Sequence, residues 1–126
     1  MRLLIDSHVA LWWLGDNPSL GPRSRDLLAA ADQTFFSAVT PWELGMKRVL
    51  GKVSFPDGLV HALETGGFLA LPISARHGEH APTLPRHHRD PFDRMLVAQA
   101  QLESLTLVSA DQAIRPYDVE LIDARA

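Results

Sequence analysis

The chain has 126 residues, a length typical of one domain, and its 46% hydrophobic and 21% charged content is ordinary for a globular protein. The net charge of −3 provides no global positive field, so a nucleic acid would have to bind a local basic patch. The absence of cysteine excludes disulfides and thiolate metal sites. No apolar run is long enough to span a membrane, and an acid at position 6 argues against an export signal, so we expect a cytoplasmic protein.

Short apolar runs bounded by turn residues alternate with helical patterns along the chain. The runs predict buried strands at residues 3–6, 34–37, 68–71, 105–109 and 119–122. Apolar residues at helical spacing predict helices at 8–14, 23–31, 42–50, 59–63 and 92–103. This alternation predicts one α/β domain over residues 1–126, with three α/β/α layers and a central parallel sheet of four to five strands.

Acidic residues follow several of these strands or begin the helices after them: Asp6, Glu43, Asp90, Asp93 and Asp111. Because the carboxyl ends of parallel strands share one edge of the sheet, these carboxylates can meet there. Two carboxylates about 4 Å apart repel by roughly 4 kcal/mol, so a gathered cluster takes up protons or a cation. Mg²⁺ and Mn²⁺ prefer oxygen ligands and support phosphoryl displacement by water.

Each acid also has a purely local interpretation. Asp6 or Ser7 can cap the following helix, and Thr40 with Glu43 has the spacing of a capping box, in which Glu43 can also pair with Lys47. The remaining acids can serve as helix caps or complement the dipole of the first turn: Asp90, Asp93 and Asp111. Each acid alone is therefore weak evidence, and their common sheet edge carries the metal hypothesis.

Five blocks of the sequence give it a resemblance that extends over nearly the whole chain. They are residues 3–8 (LLIDSH), 37–47 (SAVTPWELGMK), 88–100 (HRDPFDRMLVAQA), 109–111 (SAD) and 117–119 (YDV). The third block is quite specific, and the order and spacing of all five make chance agreement improbable. The chain resembles the PIN-domain ribonucleases, in particular the VapC-type toxins of bacterial toxin–antitoxin pairs.

The resemblance implies a PIN-like fold, Mg²⁺- or Mn²⁺-dependent cleavage of RNA, a homodimer, and a cognate VapB-type antitoxin that assembles with the toxin into a heterotetramer or larger complex. It assigns four catalytic acids, Asp6, Glu43, Asp93 and Asp111, and gives metal binding chiefly to Asp6 and Asp93. Asp90 is an additional acid that can compete with Asp93 as the principal ligand. Hydroxyls that orient ligands or water match Ser7, Ser37 and Ser109.

Basic and aromatic residues provide two further expectations. The segment 86–89 (RHHR) and Arg94 form a candidate phosphate patch through Arg86, Arg89 and Arg94. The histidines His77, His80, His87 and His88 can join that patch, bind zinc or provide loop polarity. Trp12 and Trp13 point about 100° apart on one helix, so one of them can line an antitoxin groove or pack on a second helix.

Other functions are less consistent with the sequence. A receiver-type phosphoacceptor domain also gathers acids at a parallel-sheet edge, but it needs a lysine after the last strand, and residues 119–123 (VELID) contain none. A phosphatase of the Asp-x-Asp type needs a second acid where His8 stands. The remaining alternative to a ribonuclease is a catalytically silent PIN-like domain that binds a partner.

Overall fold

The computed structural model describes residues 1–126 and contains one five-stranded parallel sheet in the order β3-β2-β1-β4-β5. The strands are β1 (Arg2–Ile5), β2 (Gln33–Ser37), β3 (Leu69–Leu71), β4 (Thr106–Ser109) and β5 (Leu121–Asp123). The wholly apolar run of β1 predicted a central strand, and β1 is the middle strand of the sheet. The predicted number and direction of strands are confirmed.

Six helices flank the sheet and confirm the three-layer architecture. They are α1 (Ser7–Leu14), α2 (Pro22–Ala30), α3 (Val39–Val49), α4 (Leu59–Thr65), α5 (Ala75–His80) and α6 (Pro91–Glu103). Successive residues of β1 point to opposite faces, so Leu4 packs in a core beside α3 and α6, whereas Leu3 and Ile5 pack in a core beside α1, α2 and α4. None of the helices has the length and apolar character that a membrane span requires.

Two local predictions differ from the structure. Helix α3 begins after Ala38, so Thr40 lies inside its first turn, and the predicted capping box with Glu43 is wrong. The Thr40 hydroxyl is buried there without a hydrogen-bond partner. Helix α5 was not predicted, because its sequence ARHGEH has no apolar stripe. A capping box between Ser74 and His77 stabilises it instead.

Strand order creates the place where a site can form. β2 and β3 extend the sheet on one side of β1, while β4 and β5 extend it on the other. The strand order therefore reverses between β1 and β4, although all strands are parallel. Loops and helices that leave the carboxyl ends of these two strands diverge and leave a crevice between them, which is the general ligand position in open α/β sheets. Asp6 follows β1 at this point, and Ser109 ends β4.

Candidate functional site

Asp6 lies at the floor of the crevice and is 4% exposed. Its Oδ1 accepts a hydrogen bond from the Val9 amide at 2.8 Å and caps α1, as one of the two local interpretations predicted. Its Oδ2 accepts from the Ser109 hydroxyl at 2.5 Å. Burial raises the pKa of Asp6 above its ordinary value, although these two hydrogen bonds oppose the rise. Capping and a place in the acid cluster are therefore compatible roles for one carboxylate.

Glu43 enters the same crevice from α3 and is 3% exposed. Its Oε1 accepts from the Ser7 hydroxyl at 2.6 Å, and its Oε2 lies 2.6 Å from Lys47 Nζ, the predicted pair one helical turn away. Burial lowers the pKa of Lys47, but the hydrogen bond and charge of Glu43 outweigh this effect and raise it. Ser37 has a different contact, because its hydroxyl accepts from the Val39 amide where α3 begins.

The first turn of α6 supplies two further acids. Asp90 caps the helix by accepting from the Phe92 amide at 2.8 Å, as predicted. Asp93 also lies in this first turn, three residues after Asp90, and its pKa is raised to about 7. Burial is the main cause, and the negative charges of Asp90, Glu43 and Asp6 add to it. The charges of Glu43 and Asp6, two acids distant from Asp93 in sequence, act on its carboxyl, so the three side chains lie near one another at one edge of the sheet.

Asp111 and His88 form the outer part of the crevice. Asp111 caps a short 3₁₀ turn by accepting from the Ala113 amide at 2.9 Å, and its side chain is 39% exposed. His88 Nε2 lies 2.8 Å from Asp111 Oδ2 and 2.9 Å from Asp93 Oδ2. His88 Nδ1 accepts from the Asp90 amide at 3.2 Å, which leaves a proton on Nε2 to donate to both carboxylates. His88 therefore connects the two acids by hydrogen bonds.

The charges of this group affect one another's titration. Burial lowers the pKa of His88, but the hydrogen bond to Asp111 and the negative charges of Asp93, Asp111 and Asp90 raise it overall. For Asp111, burial raises the pKa, but the hydrogen bonds from the Ala113 amide and from His88 lower it overall. The sequence suggested a phosphate patch, a zinc site or loop polarity for His88, and not a contact with Asp93 and Asp111. The position of His88 two residues before a helix-capping aspartate is the signal that could have identified it.

The other basic residues of segment 81–94 have separate environments. Arg86 and Arg89 are exposed at the rim of the crevice, beside a cavity of about 470 Å³ that His88 and Arg94 also line. Arg94 instead donates its side-chain N–H groups to main-chain carbonyls and to the Tyr117 hydroxyl. These contacts argue against the predicted phosphate contact of Arg94.

The remaining histidines do not gather into a zinc site. His77 is buried and pairs with Glu103, His80 contacts Gln101, and the His87 ring packs edge-on against Tyr117. The tryptophan pair of α1 also has an intramolecular role, since both rings are half-buried against the core beside α1, α2 and α4. The most exposed tryptophan is Trp42 of α3, at 63%.

The donor set fits a hard divalent cation. Asp6, Glu43, Asp90, Asp93 and Asp111 provide five carboxylates, and Lys47 and His88 are the cationic or titratable partners that contact them. Burial is the main cause of the raised pKa values of Asp6 and Asp93, and the charges of neighbouring carboxylates add to it. Oxygen-rich sites with excess negative charge suit Mg²⁺ or Mn²⁺ better than softer metals. His88, Asp93 and Asp111 also lie close enough together to be considered as a metal-binding group.

The fold and the crevice define a class of proteins, namely three-layer α/β domains that gather carboxylates at the point where the sheet reverses its strand order. A scan against protein-family models matches the PIN domain over residues 3–120. The chain therefore belongs to the PIN-domain family. A search of curated protein sequences found no match.

Solved structures confirm the fold at low sequence identity. VapBC2 from Rickettsia felis, solved with a DNA fragment from its promoter, has a TM-score of 0.71 at 15% identity over 97% of this chain and 98% of that chain. A toxin–antitoxin complex from Klebsiella pneumoniae has 0.65 at 19% identity over 95% of each chain. FitAcB from Neisseria gonorrhoeae has 0.65 at 18% identity over 95% of this chain and 96% of that chain.

Proposed function

We propose that this protein is a metal-dependent endoribonuclease and the toxin of a VapBC-type toxin–antitoxin pair. The observation that supports this most directly is that acids from separate elements of the fold meet in one crevice. Asp93 of α6 and Asp111 after β4 both contact His88, and Ser109 joins the Asp6 carboxylate to the Asp111 main chain. Gathered carboxylates take up protons or a cation, and PIN membership makes a divalent cation and phosphodiester cleavage the chemistry to test.

In this proposal Asp6 and Asp93 are the principal ligands of an Mg²⁺ or Mn²⁺ ion. When bound, such an ion stabilises negative charge on a phosphate oxygen and lowers the pKa of a water molecule. Asp93 contacts His88 inside the crevice and feels the charges of Glu43 and Asp6, which supports Asp93 over Asp90 as the ligand. Glu43 and Asp111 complete the catalytic acids, and either carboxylate can accept the proton of the attacking water when it does not contact the ion.

Three serine hydroxyls support these acids to different degrees. Ser109 donates to Asp6, and Ser7 donates to Glu43, so each hydroxyl holds one carboxylate in place. Ser37 acts on the backbone of α3 and not on an acid. We therefore propose direct orienting roles for Ser7 and Ser109, and an indirect role for Ser37 through the start of the helix that carries Glu43.

The RNA backbone needs cations, which the net charge of −3 does not supply globally. Arg86 and Arg89 are exposed at the rim of the acid crevice, and their guanidinium groups suit phosphate. We propose that they contact phosphates beside the one that is cleaved. Substitution of either residue should weaken RNA binding and reduce its salt dependence without changing the metal affinity of the protein.

The proposed partners are a VapB-type antitoxin and a second copy of this chain, in a heterotetramer or larger complex. The solved structures that share the fold include toxin–antitoxin complexes, which supports an antitoxin partner. The outer face of α3 is apolar and exposed at Trp42, Met46, Val49 and Leu50. Such a patch on a helix suits a protein interface. A cytoplasmic location accompanies this proposal.

The test measures cleavage of RNA by the purified protein with and without metal. We expect EDTA to abolish cleavage and Mn²⁺ or Mg²⁺ to restore it, and we expect Asp6→Asn to be folded and inactive. A catalytically silent partner-binding domain would instead bind antitoxin normally and leave RNA intact under all metal conditions. Cleavage that persists in EDTA, or in folded Asp6→Asn at the wild-type rate, would contradict the proposal.

A further inference from the structure

Segment 81–89, a 3₁₀ turn (Ala81–Thr83) followed by a stretch without regular structure, forms the outer wall of the acid crevice, and two side chains outside the segment hold it. Arg94 lies in the first turns of α6, and Tyr117 follows the 3₁₀ turn after β4. The Arg94 guanidinium donates to five carbonyl oxygens of the segment, at distances from 2.9 to 3.3 Å: Ala81, Pro82, Leu84, Pro85 and His88. One side chain therefore hydrogen-bonds to the main chain along most of this segment.

Tyr117 completes the same network with its hydroxyl. The hydroxyl donates to the Pro85 carbonyl at 2.8 Å and accepts from the His88 amide at 2.9 Å, and Arg94 Nη1 approaches it at 3.3 Å. The main chain of His88 is thus held on both sides, because its N–H donates to Tyr117 and its C=O accepts from Arg94. No other residue of the segment is fixed through both groups by these two side chains.

The contacts of Arg94 are those of a residue that holds the main chain. It takes part in no ion pair with an acid, and its partners are main-chain carbonyls and one hydroxyl. A planar guanidinium can serve several carbonyls at once because its donors point in fixed, divergent directions. A lysine ammonium is a point donor at the end of a flexible chain and cannot reproduce this set.

We propose that Arg94 and Tyr117 are positioning residues for the nuclease site, an inference that rests on the function proposed above. By fixing the main chain of His88, they hold its imidazole between Asp93 and Asp111, the contacts of 2.9 and 2.8 Å that join the two acids. The same contacts shape the rim that carries Arg86 and Arg89. Arg94 therefore acts through the loop and not on phosphate.

Arg94→Lys separates the two roles, with Arg23→Lys, at an exposed arginine of α2 outside the acid crevice, as the matched control. If Arg94 contacted phosphate as a charge, Arg94→Lys would keep that charge and most of the activity. A positioning role predicts that Arg94→Lys lowers kcat by about 10- to 100-fold, the usual effect of losing a residue that orients ligands, while KM and salt dependence change little. Arg23→Lys should keep the wild-type kcat. Equal, small effects of the two substitutions would overturn the positioning role.

Readouts independent of catalysis keep this inference distinct from the proposed function. Arg94→Lys and Tyr117→Phe should each speed amide hydrogen exchange in residues 84–90 and change the Mn²⁺ affinity measured by calorimetry, with the unfolding midpoint within a few degrees of wild type. Tyr117 is the only tyrosine, so 3-fluorotyrosine gives one ¹⁹F resonance that should shift in Arg94→Lys. Wild-type exchange and Mn²⁺ affinity in both variants would contradict the inference, whereas a wild-type protein that never cleaves RNA contradicts only the function.

Discussion

The two walls of the crevice differ in how they hold their acids. The strand-end wall, which we define as Asp6, Ser7, Glu43 and Ser109, consists of residues that are at most 4% exposed and lie at the ends of strands or inside helices. The loop wall, defined as His88 and Asp111 with segment 81–89, is irregular and partly exposed. Asp93 lies between them and contacts His88.

This difference separates a fixed half of the site from an adjustable one. In the strand-end wall, each carboxylate is fixed by a serine hydroxyl and by a helix or strand that the core holds rigidly. In the loop wall, the contacts of His88 depend on a segment whose backbone is held by side chains. We therefore expect substitutions in the strand-end wall to remove activity, and substitutions in the loop wall to tune it.

The largest effect that this comparison predicts is on catalysis. Asp6→Asn should lower the single-turnover rate of RNA cleavage by at least about 100-fold, because losing a metal ligand costs no less than losing a residue that supports one. The loss of rate in Asp111→Asn should be smaller, by a factor of roughly ten, than the loss in Asp6→Asn. The Asp111 side chain is 39% exposed, and it keeps its cap to Ala113 in either form. Both variants must bind antitoxin normally. A larger loss in Asp111→Asn would reverse the ranking of the walls.

The second prediction concerns pH and the metal-free protein. The pKa of Asp93 rises from 3.8 to about 7 on folding, so its contribution to stability is complete below pH 3.8 and is lost as the pH rises through 7. Asp6 and His88 have raised pKa values and act in the same direction. In EDTA, the free energy of unfolding should fall by about 2–3 kcal/mol between pH 5 and pH 8 from Asp93 alone.

Asp93→Asn provides the control for that titration. The variant has no carboxyl to deprotonate, so its unfolding free energy, measured by urea denaturation in EDTA, should depend on pH less steeply than that of wild type. Saturating Mn²⁺ should stabilise wild type more at pH 8 than at pH 6, because the deprotonated carboxylate is the form that binds a cation. Equal slopes in wild type and Asp93→Asn would show that other groups dominate.

The strand-end wall could be predicted from sequence more fully than the loop wall. Asp6 closes an apolar run that can only be a central strand, and Glu43 lies in a helix with a clear apolar stripe, so regular structure determines where both residues go. The contacts of His88 arise from segment 81–89, which has no periodicity. Its path depends on side-chain hydrogen bonds from Arg94, in the helix that follows the segment, and from Tyr117, which lies beyond β4.

The pattern of capping residues predicted one helix start correctly and another incorrectly. The spacing of Thr40, Pro41 and Glu43 matches a capping box, but the helix begins one residue earlier, at Val39. The Ser37 hydroxyl accepts the hydrogen bond from the Val39 amide at that end. The correct prediction of the Asp90 cap used the same pattern. In the first case the Thr40 hydroxyl is buried without a hydrogen-bond partner inside the helix, an outcome that residue spacing alone does not encode.

The third prediction tests the counter-charge of the strand-end wall. Lys47→Met removes the ammonium that lies 2.6 Å from the buried Glu43 carboxylate and leaves that charge beside Asp6 and Asp93. Because Lys47 is itself partly exposed, we expect a loss of about 1–2 kcal/mol in the free energy of unfolding without metal. Glu43→Gln in the same background should restore most of it. An unchanged stability in Lys47→Met would mean that solvent compensates Glu43.

The smallest effect separates two serines that occupy equivalent strand ends. The Ser109 hydroxyl donates to Asp6 and accepts from the Asp111 amide at 3.0 Å, so it joins the strand-end wall to the loop wall. Ser37 accepts from one amide only. Ser109→Ala should therefore cost about 1–2 kcal/mol of stability and weaken Mn²⁺ binding, whereas Ser37→Ala should cost under about 1 kcal/mol and leave metal affinity unchanged. Ser109→Thr, which keeps the hydroxyl, should retain wild-type affinity. If Ser37→Ala weakened metal binding equally, the walls would be coupled through α3 and not through Ser109.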